Sequence, residues 1–355
     1  MTMEAPWLSD LRAFAPAPVV AQPRIAAVIP CFAVSATIDR VIGAIGSEVW
    51  RIYCVDDASP DKTAEAIARL VKRDARVRMI RREKNGGVGT AVVDGILAAL
   101  DDGAEIIVKI DGDGQMNPAF VPDFIRPILD GEADYVKGNR FFSLETVARM
   151  PTLRLLGNAG LPFLAKLSTG YWDLFDPTNG YIAINADVAR LLPLRRLHER
   201  YFFESDLLFR LATLRARVVE LPLETVYSDE TSHLSELRCL LTFPVLHARN
   251  FAKRIFYNHI LRGFGAASLN LIAGMFLTIF GVVFGLLQWI DSLRTDEVAS
   301  AGTVMLSALP VVVGVQLLLS FLFHDVALTP SEAIHRRLSS KRMLATKSLS
   351  ENDKC

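Results

Sequence analysis

The sequence predicts an α/β domain on a largely parallel sheet, followed by an amphipathic helical stretch and two apolar helices. Three observations carry this expectation. From residue 25 onward short apolar runs alternate with helical patterns, which is how a mostly parallel sheet reads. Past Cys239 the chain turns basic and amphipathic, and it then enters two spans of roughly the 20 apolar residues that a bilayer-crossing helix needs. The whole, 355 residues and 51% hydrophobic, exceeds one ordinary domain. Its mean hydropathy of +0.29 is high for a soluble enzyme, and the excess lies late in the chain.

The first 23 residues, rich in Ala and Pro, read as a mobile lead-in, without the basic-then-apolar order of a cleavable signal peptide. Strands are expected at Ile25 to Pro30, Arg51 to Val55, Val77 to Arg81 and Ile106 to Ile110, with helices at Lys62 to Lys72 and Gly89 to Leu100 between them. Asp61 suits the N-cap of the first of these helices, with Glu65 supporting its first turn. A further strand is expected at Asp134 to Arg140, a helix at Phe203 to Leu214 and a closing strand at Val218 to Tyr227.

Leu241 to Leu261 mixes large apolar residues with His247, Arg249, Lys253 and Arg254, the composition of an interfacial helix beside a membrane span. Ala266 to Ile290 and Val298 to Phe323 are the two spans, with Trp289 at an interface. Basic residues flank the pair on its outer sides, Arg249, Lys253, Arg254 and Arg262 before and Arg336, Arg337, Lys341, Arg342 and Lys347 after, whereas the intervening segment holds only Arg294. The positive-inside rule then puts both termini and the large domain in the cytoplasm, with the chain integral to the inner membrane. The expected divisions are 1–23, the catalytic-type domain 24–238, the interfacial region 239–263, the apolar pair 264–325 and a basic tail 326–355. Zero formal charge excludes a global basic surface for nucleic acid. Four cysteines without CxxC spacing fit reduced packing residues rather than a zinc site or disulfide framework.

The chemistry gathers at strand ends. Asp111-Gly112-Asp113-Gly114-Gln115 follows an apolar run, so it places two carboxylates at the carboxyl edge of the sheet, where open α/β folds bind ligands. Such hard oxygen ligands suit Mg²⁺ or Mn²⁺ with a phosphate-bearing substrate, although alone the pair reads equally as a polar turn. Asp56 and Asp57 end the second strand side by side, and adjacent carboxylates call for a partner such as a nucleobase imide N–H. Asn85-Gly86-Gly87-Val88-Gly89 precedes a helix, where backbone N–H groups can approach a diphosphate; it is neither a Rossmann fingerprint nor a P-loop.

Taken in order, these segments resemble the family 2 glycosyltransferases of GT-A fold over roughly Arg24 to Leu234. The resemblance implies that Pro30, Phe32, Asp56 and Asp57 hold the nucleotide base. It also implies that Asp111, Gly112, Asp113 and Gln115 hold the divalent metal and the nucleotide-sugar diphosphate, with Gly86 and Gly89 nearby. Two spans behind such a domain narrow the likeness to polyprenyl-phosphate glycosyltransferases. In that group Gly138-Asn139-Arg140 resembles a Gly-Ser-Arg strand end and Arg154 a second arginine for the acceptor phosphate. The alternative for both arginines is a solvated surface position. Asp176-Pro177-Thr178-Asn179-Gly180-Tyr181 stands at the place of an acceptor-side motif or is simply a tight turn. Glu204 and Asp206 serve either helix-dipole compensation or sugar hydroxyls.

The sequence departs from the family pattern at Ala33-Val34, where Asn-Glu is common, at Met116, where His is frequent, and at His233, near the place of a phosphate-binding Lys. The expected activity is inverting, metal-dependent sugar transfer from a nucleotide sugar to a polyprenyl phosphate in cell-envelope glycan assembly. Asp113, Arg140 and Arg154 are its expected catalytic residues, and a tetramer is expected by analogy. The competing expectations are transfer to a glycan hydroxyl, including polysaccharide synthesis, and an inactive membrane-anchored nucleotide-binding protein.

Overall fold

A computed structural model of the chain describes residues 22–142, 152–223 and 236–338. Seven strands form one sheet: β1 (Ile25–Cys31), β2 (Val49–Asp56), β3 (Val77–Arg81), β4 (Ile106–Lys109), β5 (Tyr135–Asn139), β6 (Ile182–Asn185) and β7 (Val218–Pro222). Their order is β3-β2-β1-β4-β6-β5-β7. β6 runs antiparallel to both neighbours and every other pairing is parallel. The carboxyl ends of six strands and the amino end of β6 therefore share one edge.

The strands are apolar on both faces because helices cover both. Ile25, Ala27 and Ile29 face one core with α2 (Thr63–Arg73) and α4 (Val121–Leu129), joined by Ile38, Val41 and Ile42 of the short α1 (Ile38–Gly43). Ala26 and Val28 face the other core with α3 (Val88–Asp101) and α7 (Phe203–Leu214). The long α5 (Thr152–Thr169) and the short α6 (Ala186–Leu191) complete the domain. Asp61 lies one residue before the α2 N-cap, yet its Oδ1 accepts the Thr63 N–H at 3.1 Å while Oδ2 accepts that of Ser35 at 3.3 Å.

The strands expected at 25–30, 51–55, 77–81, 106–110 and 134–140, the helices at 62–72 and 89–100 and the helix at 203–214 all form, whereas β6, α1, α4, α5 and α6 carried no expectation. Pro122 and Pro127 in α4 and Pro162 in α5 read as helix breakers. Pro122 sits in the first turn of α4, where a missing N–H costs little. The last strand ends at Pro222 rather than Tyr227, and residues 224–235 lie outside the described residues.

Behind the domain, α8 (Glu236–Ile255) continues into a single π-helical segment, Phe256–Leu261, and then into α9 (Ala266–Thr295) and α10 (Ala301–Ala327). At 30 and 27 residues both are long and apolar enough to cross a membrane, and only 11% of the most apolar stretch of each is buried within the chain. A soluble core helix would be covered instead. The two pack closely where residues are small: a Cβ on Gly281 would lie 2.6 Å from the Ser307 carbonyl, and Ser307 Oγ donates to Gly281 O at 3.0 Å.

The hairpin leaves the domain and returns to it. Arg262 donates to Thr213 O at the end of α7, and Arg217, just before β7, donates to Pro330 O, both at 2.8 Å. Past α10 the chain docks on the sheet: buried Asp134, just before β5, accepts the N–H groups of Ile334 and His335 at 2.9 Å and the His335 ring at 2.7 Å. The expected basic tail thus begins as a packed segment, with Ile334 and Leu338 against the second core.

Towards the domain α8 presents polar residues, each with a partner. His247 Nδ1 is 2.7 Å from Ser168 Oγ, Asn250 donates to Asp206, and Arg254 donates to Leu167 O and Asp325. Burial pushes His247 down to about 4 from 6.5. Between those values the unfolded chain binds the extra proton, so the stability that neutral His247 supports is complete above about pH 6.5 and is lost as pH falls towards 4. Unfolding midpoints are expected to drop across this window, by up to about 3 kcal/mol of stability. A His247→Gln variant should show a flatter profile in the same thermal melts.

Candidate active site

At the end of β1, Phe32 is 48% exposed and Ala33 adopts φ 55°. Its N–H donates to Ser59 Oγ at 3.2 Å, linking the β1 and β2 loops. A left-handed alanine costs about 1–2 kcal/mol, and asparagine tolerates this region best among non-glycine residues. The departure from Asn is therefore a local strain. Ala33→Asn is expected to raise stability by about 0.5–1 kcal/mol, read as a higher melting temperature.

The paired carboxylates of β2 have different employment. Asp56 is buried, with Oδ1 accepting the Ser59 N–H at 3.1 Å while Oδ2, shielded from solvent, has no hydrogen-bond partner among the described residues. Arg81 Nε, 3.8 Å away, supplies charge only. Such an orphan acceptor fits an incoming N–H once the side chains that cover it shift. Asp57 has no such vacancy: its two oxygens accept the Gly86 and Gly87 N–H groups at 2.9 and 2.8 Å, and Arg82 Nε stands 2.9 Å from it.

That pairing changes the expected part of the glycine loop. The Gly86 amide is committed to Asp57, and the Thr90 N–H at the start of α3 donates to Glu199 O at 3.2 Å. A Cβ on Gly89 would strike the backbone of His198 and Glu199. In this arrangement the Gly86 N–H fixes Asp57, and Gly89 permits close packing against residues 198–199.

β4 ends in Lys109, buried at 2% exposure, whose Nζ lies 2.6 Å from Asp111 Oδ1. Gly112 O accepts the Thr37 hydroxyl at 2.7 Å, Asp113 Oδ1 accepts the Gln115 N–H at 3.0 Å, and Met116 sulfur accepts the Asp111 N–H at 3.4 Å. Met116 thereby braces the turn that carries the acids. Among the described residues no three His, Cys, Asp or Glu side chains cluster as a ligand cage. Asp111, Asp113 and the Gln115 amide nevertheless offer hard oxygen donors, the ligand type that suits Mg²⁺ or Mn²⁺ when phosphate oxygens and water complete the shell.

From β5, Arg140 reaches Asp176, which is fully buried: Nε donates to Oδ2 at 2.8 Å and Nη2 to Oδ1 at 3.1 Å. Burial works to raise the Asp176 carboxyl, but the Arg140 hydrogen bonds and charge, with Lys137, outweigh it and hold it below the usual range. Asp176 N–H in turn donates to Glu220 Oε1 at 2.7 Å. The 176–181 turn is thus the mount of Arg140, a bidentate pair in which the Arg140 side chain as a whole stays 38% exposed. Arg154 lies in the first turn of α5 with its side chain outside the described residues, and His233 is outside them altogether.

Two buried lysines complete the edge. Lys109 and Lys137 flank Ile182 in register on either side of β6. Lys137 donates to Asn179 O at 3.3 Å, and burial brings it down to about 8 against the opposing pull of Asp176, Glu220 and Glu204. Burial pushes Glu204 up to about 7, with Lys109 opposing and Asp111 adding to the rise. Asp206 is fully engaged by His198 N–H, Arg210 and Asn250, so it braces α7 and α8. Lys109, inside an apolar run, was the visible signal of a buried cation needing a partner.

Comparison with known proteins gives one consistent picture. Residues 26–192 match the family model described as Glycosyl transferase family 2. The chain is 28% identical over 215 residues to the UDP-N-acetylglucosamine–dolichyl-phosphate N-acetylglucosaminyltransferase of Methanococcus voltae, covering 57% of this chain and 85% of that protein. It is 29% identical over 206 residues to the undecaprenyl-phosphate mannosyltransferase of Micrococcus luteus, covering 57% and 84%. Among solved structures it resembles glucosyl-3-phosphoglycerate synthase from Mycobacterium tuberculosis with Mn²⁺, UDP-glucose and phosphoglyceric acid. That match has a TM-score of 0.50 and 22% identity, covers 66% of this chain and 80% of the other, and bears on fold alone.

Proposed function

We propose that this chain, a glycosyltransferase with a glycosyl transferase family 2 domain over residues 26–192, moves a sugar from a nucleotide-sugar donor to a polyprenyl phosphate at a membrane surface. The observation that carries the reading is one sheet edge that holds the Asp111–Asp113 turn and, two strands away, an arginine pinned by a buried carboxylate. The names of the two relatives support the lipid-phosphate acceptor.

Asp56 Oδ2 accepts an N–H of the nucleotide base, and exposed Phe32 covers the ring. Asp111, Asp113 and Gln115 would hold a divalent cation, which would supply charge neutralisation on the departing nucleoside diphosphate. Arg140, with Arg154 as its proposed partner, aims the acceptor phosphate at the anomeric carbon. An acceptor phosphate oxygen forms the new bond to that carbon as its bond to the diphosphate breaks, and the electron pair leaves on the diphosphate oxygen. Attack from the opposite face inverts the centre. The acceptor is already ionised at neutral pH, so no general base is needed.

The apolar hairpin is rooted at the amino ends of β5 and β7, the far end of the sheet from this edge, so the spans alone do not hold the site against a bilayer. α8 bridges the distance: Phe243 and His247 pack on Phe202 beside Glu204, and Arg254 reaches Asp325 at the root. Its exposed side carries Val245, Arg249 and Lys253, followed by exposed Phe256 and Tyr257. An α8 lying in the interface keeps the site over the membrane from which the lipid is drawn. Exit and return of the hairpin on the domain support two spans with domain and tail on one side, which the basic flanks assign to the cytoplasm.

Membranes containing the protein, incubated with labelled nucleotide sugars and undecaprenyl phosphate, should yield organic-extractable labelled lipid, abolished by a chelator. Failure with every donor while nucleotide binding persists would establish an inactive binding protein. Glu204 favours one second reading, because a carboxyl near 7 suits a general base for a hydroxyl acceptor. Glu204→Gln should retain lipid-phosphate transfer; transfer by the wild type to a glycan hydroxyl, lost in Glu204→Gln with nucleotide-sugar binding intact, would favour the hydroxyl acceptor.

A further inference from the structure

We propose that Lys109 is a built-in counter-charge that makes cation binding at Asp111 conditional on the donor's diphosphate. The inference rests on the nucleotide-sugar reading above and assigns a positioning residue to that same site.

Lys109 ends a central strand, in register with Val28 on one side and Ile182 on the other, so its backbone has no freedom to withdraw. Its ammonium occupies a slot shaped for it. A Cβ on Gly180 would lie 2.5 Å from Nζ and 3.2 Å from Asp111 Oδ2, so any larger residue there would displace the ion pair. The Phe203 ring stands 5.8 Å away on another side. Asp111 Oδ1 is therefore already paired at 2.6 Å before any ligand arrives.

A divalent cation bound by Asp111 meets a fixed positive charge across the same carboxylate, in a partly buried place where screening is weak. Asp113 Oδ1 is shared with the Gln115 N–H, and no third acidic ligand clusters there among the described residues to offset the repulsion. A diphosphate supplies the missing negative charge and the missing oxygens together. Lys109 thus attracts the diphosphate, repels the lone cation, and favours their arrival as one complex.

The test is binding by the purified full chain, measured separately for Mn²⁺ alone and for inorganic pyrophosphate alone. Lys109→Met is expected to tighten Mn²⁺ about tenfold or more and to weaken pyrophosphate by a similar factor. Opposite shifts are the signature, since a merely structural loss would weaken both. Gly180→Ala, which moves the ammonium without deleting it, should shift both affinities in the same directions and decides the matter if Lys109→Met does not fold. Unchanged or weaker Mn²⁺ binding in a folded variant would overturn the inference. If wild-type membranes still make labelled lipid, only this inference fails; if they make none with any donor, the functional reading fails whatever the binding data show.

Discussion

Asp111→Ala is expected to lower glycolipid formation by about a thousandfold or more and to destabilise the fold at the same time. The first effect follows from removing one of the two carboxylates proposed to hold the cation, because charge neutralisation at the leaving diphosphate would be worth several kcal/mol. The second follows from Lys109, which is 2% exposed and would lose the carboxylate 2.6 Å away. Breaking a buried pair from one side costs about 3–5 kcal/mol, whereas replacing both partners is close to neutral. Glu204, whose carboxyl already feels the Lys109 charge, is a fallback counter-ion and puts the cost at the lower end. The double variant Lys109→Met with Asp111→Ala should therefore recover the melting temperature and remain inactive. An active Asp111→Ala protein would remove the basis of the proposed site.

Much of this edge was legible because apolar strand patterns end in acids, and strand ends in a parallel sheet necessarily meet at one edge. The division of labour between Asp56 and Asp57 was not. Consecutive residues of an extended chain point to opposite sides, and only the placement of Gly86 and Gly87 reveals that Asp57 is consumed. Arg140 was legible as a strand-end arginine, but its mount lies 36 residues later in a turn that also reads as a simple reversal. The inserted antiparallel β6 brings that turn to the site, and a run of four residues carries no periodicity strong enough to announce it. In α8 the basic amphipathic pattern was visible, yet His247, Asn250 and Arg254 face inward because each meets a polar partner from a distant segment. Pattern reading assigns polar residues outward, and only tertiary pairing overrides it.

Asp325→Ala is expected to be the most damaging single change outside the candidate site. Asp325 and Arg254 are each 3% exposed in their side chains, and the carboxylate accepts four hydrogen bonds: from Arg254 at 2.7 and 3.0 Å, from His259 at 3.0 Å and from Trp172 at 3.1 Å. Those partners come from α8, the π-helical segment and the loop after α5, so one side chain joins the root of α10 to three other parts of the chain. Arg254 also donates to Leu167 O, which fixes it in place and leaves its charge uncompensated once Asp325 is gone. The loss should reach about 3–5 kcal/mol, seen as a lower unfolding midpoint of detergent-solubilised protein. Pairing Asp325→Leu with Arg254→Met should restore most of it. Activity should divide by acceptor: transfer to a long polyprenyl phosphate in bilayers falls by about tenfold or more, because the hairpin no longer holds α8 and the site over the lipid, while transfer to a short water-soluble prenyl phosphate changes less. Equal losses with both acceptors would show that the cluster supports the catalytic domain itself rather than its seating on the membrane.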